Sequence, residues 1–393
     1  MVSDFSPMDY TQKYHQLKSL FVPDAIKTDF PDSDISCYWA KFESENISVL
    51  AEERDHYFHE ISELNMLPDD AIPENHSFTY PVFKSAGSAK NRQAIILLHG
   101  LNERSWNKYL VWAYYLVLNT GRPVILFPIA FHMNRSPEAW SNPRLMSSFL
   151  AARKRRFGDI PMSTFANVAL SERLCEDPLR FFTSGQQSAA DMVQLTKQLN
   201  SGECPLFEKD TTVDFFAYSI GAFLAQILLL GNPGGLFTDS RLFLFSGGSL
   251  FDEMNGVSKL IMDQRAFDRL RQFYIKELEA EMKRSPVLAD SMNKTEMGQG
   301  FLAMLSAGNL QSFRENAFQK MSSQIQAVAL LKDKVIPAQG IMDSLNPWIN
   351  VEVMDFPFDY THENPFPVFD GAESSLVDQS FERVFSKAAE FLQ

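Results

Sequence analysis

Ser219 stands in a local pattern that suits a nucleophile. Residues 213–226 run from an apolar stretch, through a tight turn at Ser219, into a second apolar stretch with helical character. A serine on such a turn points its hydroxyl out of the fold, and the backbone N–H groups of the helix start face the group that it attacks. This pattern predicts acyl transfer through a serine nucleophile.

A nucleophilic serine requires a base, which is usually a histidine because the pKa of imidazole lies near neutrality. Of the seven histidines in the sequence, only His362 follows Ser219. Between these two residues, the apolar stretch 326–331 leads into a loop that contains Asp333. The Asp333 carboxylate can accept the second ring N–H of His362 and hold one tautomer.

The order serine, aspartate, histidine resembles that of the α/β-hydrolase superfamily. The turn at the serine fits the pattern Gly-x-Ser-x-Gly, with Gly221 kept and Ala217 in place of the first glycine. The resemblance covers roughly residues 77–250 and 324–393. It implies an α/β-hydrolase fold: a mostly parallel central sheet flanked by helices, with a helical cap insertion.

The same resemblance assigns an oxyanion hole. The apolar stretch 93–98 runs into His99 and Gly100. In the superfamily this strand end supplies one backbone N–H donor, and the residue after the serine supplies the other. Carried over, the donors are the N–H groups of Leu101 and Ile220, and His99 is predicted to be structural.

Three other aspartates are candidates for the acid. Asp252 follows the sixth predicted strand, where some relatives carry their acid, and Asp355 and Asp359 precede the histidine on its own segment. The superfamily template favours Asp333, which lies at a strand end and is followed in sequence by Pro337 in an Asp-x-x-x-Pro pattern.

Apolar patterning supplies the elements that must position these residues. Strand–helix–strand units at this spacing predict parallel pairing. The strands are predicted at 76–84, 93–98, 124–129, 212–218, 241–245, 326–331 and 349–354. The helices are predicted at 46–67, 106–119, 184–199, 264–283, 297–305, 310–321 and 373–392.

The chain is predicted to form one core with additions. Residues 76–250 and 323–393 form the α/β-hydrolase core, and residues 1–75 form an N-terminal extension packed on it. Residues 251–322 are predicted to form a helical cap, which would exclude water and shape the pocket. Residues 138–180 are longer than an ordinary connection and are a candidate second lid segment.

Two polar side chains follow the predicted strand 124–129. His132 and Arg135 lie where loops at the carboxyl end of a sheet often carry function, so they are candidate substrate-binding residues. The alternative, weighted equally, is that both only satisfy loop carbonyls.

Charge and composition exclude several classes of partner. The net charge of −13 argues against nucleic acid. The basic run 153–156 is interpreted as a solvated helix face, with recognition of an anionic group as the alternative. The apolar stretch 215–230 is too short and too interrupted for a membrane span. The 34 phenylalanines and 16 methionines fill a large core or line an apolar acyl pocket.

Cysteine and histidine usage gives no reason to expect a cofactor. The three cysteines form no disulfide framework and the N-terminus has no signal-peptide pattern, so a cytoplasmic location is expected. His56 and His59 are spaced for metal binding, but the sequence pattern supplies no third ligand. We therefore expect neither a metal nor an organic cofactor, and the sequence indicates no oligomeric state.

The sequence predicts a serine hydrolase that cleaves a carboxylic ester, or a related acyl bond, of a small molecule through an acyl-enzyme intermediate. An acyltransferase with the same triad is the alternative within catalysis. A non-catalytic binding protein on a hydrolase scaffold is the alternative outside it. Peptidase activity is disfavoured because no paired glutamates that would grip a peptide terminus are located in the sequence.

Overall fold

A nine-stranded sheet forms the centre of the protein. The computed structural model describes residues 8–31, 33–45, 69–85, 92–369, 371 and 373–393. The helix predicted at 46–67, with His56 and His59, lies outside these described residues. The strands are β1 Lys27–Asp29, β2 Ile35–Glu43, β3 Ser77–Ser85, β4 Gln93–Leu98, β5 Val124–Leu126, β6 Thr212–Tyr218, β7 Leu242–Phe245, β8 Ile325–Leu330 and β9 Asn350–Met354.

Most of the sheet is parallel. The strand order is β1-β2-β3-β5-β4-β6-β7-β8-β9, and every pair from β5 to β9 in that order is parallel. β1, β2 and β3 join one edge as antiparallel strands. The central strands are buried on both faces, which explains their nearly unbroken apolar sequences. In β6, Phe215 and Ala217 join the core on one face, and Phe216 and Tyr218 join the core on the other.

Helices cover both faces of the sheet. The α-helices of at least 7 residues are α1 Tyr10–Leu20, α2 Asn107–Thr120, α3 Pro143–Phe157, α4 Val168–Glu176, α5 Leu179–Ser201, α6 Ile220–Gly231, α7 Gln264–Gln272, α8 Leu278–Arg284, α9 Pro286–Asn293, α10 Glu296–Ala303, α11 Gln311–Lys320, α12 Ala338–Leu345 and α13 Ser374–Leu392. α1, α2 and α13 pack on one face, and α5, α6 and α10 pack on the other. The predicted fold class, a mostly parallel sheet flanked by helices, is confirmed. No helix in the described ranges is long and apolar enough to cross a membrane.

The segment 251–322 lies between β7 and β8 and is helical throughout its regular elements, α7 to α11. A π-helical turn at Phe273–Glu277 joins α7 to α8, so the predicted helix 264–283 is one continuous helical stretch. Segment 138–180 contributes α3 and α4. The roles of these two segments as cap and lid, like the division of the chain into domains, stay predictions.

The basic run 153–156 is only partly a solvated face. Arg153 is buried and pairs with Asp263 at 2.9 Å and with Glu172, whereas the side chains of Lys154 and Arg156 are 48% and 46% exposed. The Arg153 contacts tie α3 to α4 and to the start of α7. Arg153 is therefore committed to an internal ion-pair network, which leaves it no role in recognising an anionic substrate.

Several elements differ from the sequence prediction. β5 ends at Leu126, before Pro128, which has no N–H to donate to a neighbouring strand. α5 begins at Leu179 and not at residue 184. β2 has no predicted counterpart, although it pairs with β3 along its whole length. Residues 27–43, predicted as part of an extension packed on the core, thus supply two strands of the sheet itself.

Candidate active site

Ser219 lies at the junction of β6 and α6. Its backbone has φ 58° and ψ −124°, and a positive φ costs a residue with a Cβ about 1–3 kcal/mol. This conformation turns the chain sharply from strand to helix, so that Ile220 is the first helical residue. Such a strained turn is typical of a serine whose hydroxyl must stand clear of the strand and the helix.

Close approaches between backbone segments surround this turn. A Cβ on Gly221 would lie 2.7 Å from the Cβ of Leu98 and 2.8 Å from its carbonyl carbon. A Cβ on Gly247 would lie 2.4 Å from the Cβ of Ala222. Side chains are excluded at both glycines for steric reasons. The end of β4 and the loop that follows β7 are thereby held against the first turn of α6.

We expect Gly221→Ala to lower kcat/KM for an ester at least about tenfold and the free energy of unfolding by about 1–3 kcal/mol, because the new methyl group must displace β4 or α6. Gly308→Ala is the matched control, since no atom lies within 4 Å of its Cβ position. Initial rates and denaturant unfolding measure the two effects. Similar losses in both variants would contradict this interpretation of the close approach.

The structure brings the three residues of the predicted triad together. His362 Nε2 lies 2.6 Å from Ser219 Oγ, and His362 Nδ1 lies 2.6 Å from Asp333 Oδ2. Ser219, Asp333 and His362 are 3%, 5% and 3% exposed. Because the surroundings exclude water, each of these hydrogen bonds is stronger than it would be at the surface.

The hydrogen bonds fix the tautomer of His362. A carboxylate oxygen accepts, so Nδ1–H donates to Asp333 and Nε2 is left to accept from the Ser219 hydroxyl. The other carboxylate oxygen of Asp333 accepts from the backbone N–H groups of Val335, at 2.9 Å, and Ile336, at 3.0 Å. The Asp333 carboxylate is therefore held from both sides, and His362 Nε2 faces the Ser219 hydroxyl.

Asp355, one of the alternative acids, has partners other than His362. The Tyr360 hydroxyl donates to Asp355 at 3.1 Å, and Lys332 pairs with the same carboxylate at 3.1 Å. Within the described ranges, the carboxylate hydrogen-bonded to His362 belongs to Asp333. The geometry therefore agrees with the acid that the superfamily template favours.

Two side chains that the sequence reasoning missed hold the histidine segment. The Tyr218 hydroxyl donates to the His362 carbonyl, and its ring stacks on the imidazole with 5.4 Å between centroids. Burial raises the pKa of Tyr218 well above its usual value, so the hydroxyl keeps its proton. Lys108 donates to the Glu363 carbonyl at 2.8 Å. The place of Tyr218 directly before Ser219 could have suggested the first contact, whereas no sequence pattern signals Lys108.

Leu101 and Ile220, the predicted oxyanion donors, both line one cavity of the protein. The N–H of Ile220 has no acceptor within its own helix because it belongs to the first turn of α6. Leu101 follows Gly100, whose N–H donates to the Tyr109 hydroxyl at 3.0 Å. The binding of an oxyanion by these two N–H groups stays a prediction.

A mainly apolar cavity, partly open to solvent, is bounded by Ile220, the residue after Ser219. Helix α10, within segment 251–322, contributes Met297 and Phe301 to its wall. Phenylalanine rings fill the core on the two faces of the sheet, and some of them also line this cavity. The rings that line the cavity are Phe181, Phe182, Phe223 and Phe301.

His132 lines the cavity. The ring of His99 packs near it, with 5.3 Å between the two ring centroids. The ring nitrogens of His99 lie 2.8 Å from the Gly100 carbonyl oxygen and 2.9 Å from the Ile129 amide nitrogen, so its hydrogen bonds are satisfied internally. Burial lowers the pKa of His99 to about 3 and that of His132 well below its usual value, so both rings are neutral. A structural role accounts for His99, and substrate binding by His132 stays a prediction.

Arg135 is fully buried and is absent from the cavity wall. Its guanidinium donates to the carbonyls of Pro128 and Asn75, each at 3.0 Å, and pairs with Asp191 at 2.7 Å. These contacts match the alternative drawn from the sequence, in which the residue satisfies loop carbonyls. None of them supports substrate binding by Arg135.

We expect Arg135→Met to lower the free energy of unfolding by about 3–5 kcal/mol, because it removes one partner of the buried Arg135–Asp191 ion pair. Lys154→Met, which removes the exposed ion pair with Asp159, should cost less than about 1 kcal/mol. Urea titrations of the two variants measure the difference. A loss of under about 1 kcal/mol in Arg135→Met would show that the pair is not a structural anchor.

The described part of the chain contains no group of three or more His, Cys, Asp or Glu side chains that could hold a metal ion. Its three cysteines are free. Burial raises the pKa of the Cys175 thiol, which accepts a hydrogen bond from Arg153 at 3.2 Å. These surroundings suit a structural thiol better than a reactive one.

The chain matches the family described as "Family of unknown function (DUF6051)" over residues 8–393, and it therefore belongs to that family. No curated protein matches the chain.

Several solved structures are similar to the chain at low sequence identity. A mutant of the esterase rPPE is 12% identical, with 99% of this chain and 91% of that chain covered and a TM-score of 0.43. Carboxyl esterase 2 from Tuber melanosporum is 11% identical, with 80% and 81% covered and a TM-score of 0.39. The peroxisomal alpha-beta-hydrolase Lpx1 from Saccharomyces cerevisiae is 14% identical, with 80% and 82% covered and a TM-score of 0.36.

Proposed function

We propose that this chain, whose family carries no assigned function, is a serine hydrolase that cleaves a carboxylic ester or related acyl bond of a small molecule. The observation that carries the proposal is the continuous line of hydrogen bonds from Ser219 through His362 to Asp333, with 2.6 Å at each step. A serine hydroxyl becomes an effective nucleophile when an oriented base can take its proton. The apolar cavity bounded by Ile220, the residue after this serine, offers room for an acyl group.

In the proposed reaction, Ser219 Oγ attacks the carbonyl carbon while its proton passes to His362 Nε2. Asp333 stabilises the imidazolium through Nδ1–H, and the N–H groups of Leu101 and Ile220 donate to the oxyanion. The proton then passes from His362 to the leaving oxygen, which departs as an alcohol and leaves an ester on Ser219. Water that gives its proton to His362 attacks this ester, releases the carboxylic acid and restores the serine.

Segment 251–322 is proposed to act as the cap over this reaction. Met297 and Phe301 of α10 stand in the cavity wall, where they would cover the acyl group and exclude water. The ion pairs of Arg153 tie the segment to α3 and α4, which belong to the candidate lid 138–180. Cap and lid would then move together or not at all.

Acyl transfer to an alcohol or amine is the second candidate. Ser219 and His362 are each only 3% exposed, so entry of water to the acyl-enzyme is restricted, and a bound acceptor could compete with it. The chemistry up to the acyl-enzyme is the same for both functions. The two candidates differ only in what attacks the ester on Ser219.

The test is product analysis with p-nitrophenyl esters of increasing acyl length, with and without an added alcohol or amine. Release of free carboxylic acid that depends on Ser219 and His362 is the result expected of a hydrolase. Conversion of the acyl group mainly to the ester or amide of the acceptor would favour the transferase. Turnover that survives in both Ser219→Ala and His362→Ala would overturn either catalytic proposal.

A further inference from the structure

His132 lines the cavity and has one buried polar atom without a hydrogen-bond partner in the described structure. Its Nδ1 lies 2.8 Å from the Ala130 carbonyl oxygen, which can only accept, so Nδ1 carries the ring proton. Burial lowers the pKa of this imidazole, which keeps the ring neutral. Nε2 is therefore a hydrogen-bond acceptor, and it is buried without a partner in the described structure.

The nearest polar ring cannot supply the missing donor. The two nitrogens of His99 are occupied by the Gly100 carbonyl and the Ile129 N–H. Two polar side chains of the cavity wall, Ser184 and Gln186, donate to protein oxygens of their own. A buried acceptor without a partner destabilises a folded protein, and a ligand that donates to it recovers that free energy.

We propose that Nε2 of His132 accepts a hydrogen bond from a hydroxyl on the acyl group, so that the enzyme selects hydroxyacyl esters over the matching unsubstituted esters. The inference rests on the proposed hydrolase function and names its substrate class. Leu101 and Ile220, the predicted oxyanion donors, line the same cavity as His132, so an acyl group held by these donors would bind in a cavity that has His132 in its wall. The largely apolar remainder of the wall suits a hydrocarbon chain with a single polar substituent.

The preference is measured with p-nitrophenyl esters of one acyl length, in which a hydroxyl is moved along the chain one carbon at a time. Each ester is compared with its unsubstituted counterpart by the ratio of their kcat/KM values. The wild-type protein should show a ratio of at least about ten at one hydroxyl position, because the unsubstituted ester leaves Nε2 unpaired. At the other positions the ratio should stay near one.

Two substitutions separate this hydrogen bond from the structural role of the ring. His132→Asn can keep an N–H near the position of Nδ1 but has no atom at Nε2, whereas His132→Gln places its amide near Nε2. We expect the ratio to fall close to one in His132→Asn and to be largely kept in His132→Gln. Each ratio compares two substrates on the same protein, so a general loss of folded enzyme does not change it.

Binding supplies a second measurement that does not depend on turnover. Titration calorimetry of Ser219→Ala with the same pair of esters should show at least about tenfold tighter binding of the hydroxylated ester. Turnover of esters by the wild type with no preference at any position, or a preference kept in His132→Asn, would overturn the inference and leave the hydrolase proposal standing. Equal binding of the two esters to Ser219→Ala would overturn it as well. Turnover unchanged in Ser219→Ala would overturn the hydrolase proposal, and this inference with it.

Discussion

Replacing Ser219 with alanine is expected to lower kcat on an ester by on the order of 10⁴–10⁶-fold. The substitution removes the atom that forms the acyl-enzyme, while the hydrogen bond between His362 and Asp333 remains. The residual rate would come from the oxyanion donors and from substrate binding. Initial rates at saturating ester, corrected for spontaneous hydrolysis, measure the loss.

Ser240→Ala is the matched control for this experiment. Ser240 is also buried, and its hydroxyl donates to the Val213 carbonyl at 2.6 Å, near the start of β6 and away from the turn that carries Ser219. Activity within about twofold of the wild type is expected for this variant, because no part of the proposed mechanism uses Ser240. A Ser219→Ala protein that keeps more than a tenth of the wild-type rate would rule out the serine as nucleophile.

Asp333→Asn is expected to lower kcat by about 10³–10⁴-fold. Its amide oxygen can still accept from Val335 and Ile336, so the fold is retained. Its NH₂ group then faces His362 Nδ1 and favours the tautomer with the proton on Nε2, which cannot accept from Ser219. The pH dependence of kcat, measured alongside folding by circular dichroism, distinguishes this loss from unfolding.

Asp355→Asn is the control because Asp355 is one of the alternative acids and its partners are Lys332 and Tyr360. We expect less than about a twofold change in kcat for this variant. A larger loss in Asp355→Asn or Asp252→Asn than in Asp333→Asn would show that the acid had been assigned incorrectly.

The central parallel strands and the order of the site residues could be predicted because their signals are local. β4 and β6 are largely apolar, with Asp214 as the charged residue within β6, and the small residues around Ser219 mark the turn that follows β6. The solitary histidine after the serine left one candidate base. Each of these inferences needed only neighbouring residues or chain order.

Other features depend on contacts between distant parts of the chain. β2 is the second strand from one edge of the sheet, and its side chains are only partly buried. It therefore lacks the apolar run that identified the central strands. The pairing of Arg135 with Asp191 joins residues 56 positions apart, and the support of the His362 segment by Lys108 joins residues 255 positions apart. The unpaired Nε2 of His132 emerges only when every neighbour of the ring is known. Sequence patterns do not indicate partners that lie so far apart along the chain.

Labelling with a fluorophosphonate, followed by mass mapping of the peptides, tests the central claim most directly. The proposed mechanism predicts one covalent adduct on the peptide that contains Ser219, no adduct there in Ser219→Ala, and strongly reduced labelling in His362→Ala. An adduct on another residue, or a folded wild-type protein that does not react, would contradict the assignment of Ser219 as an activated nucleophile.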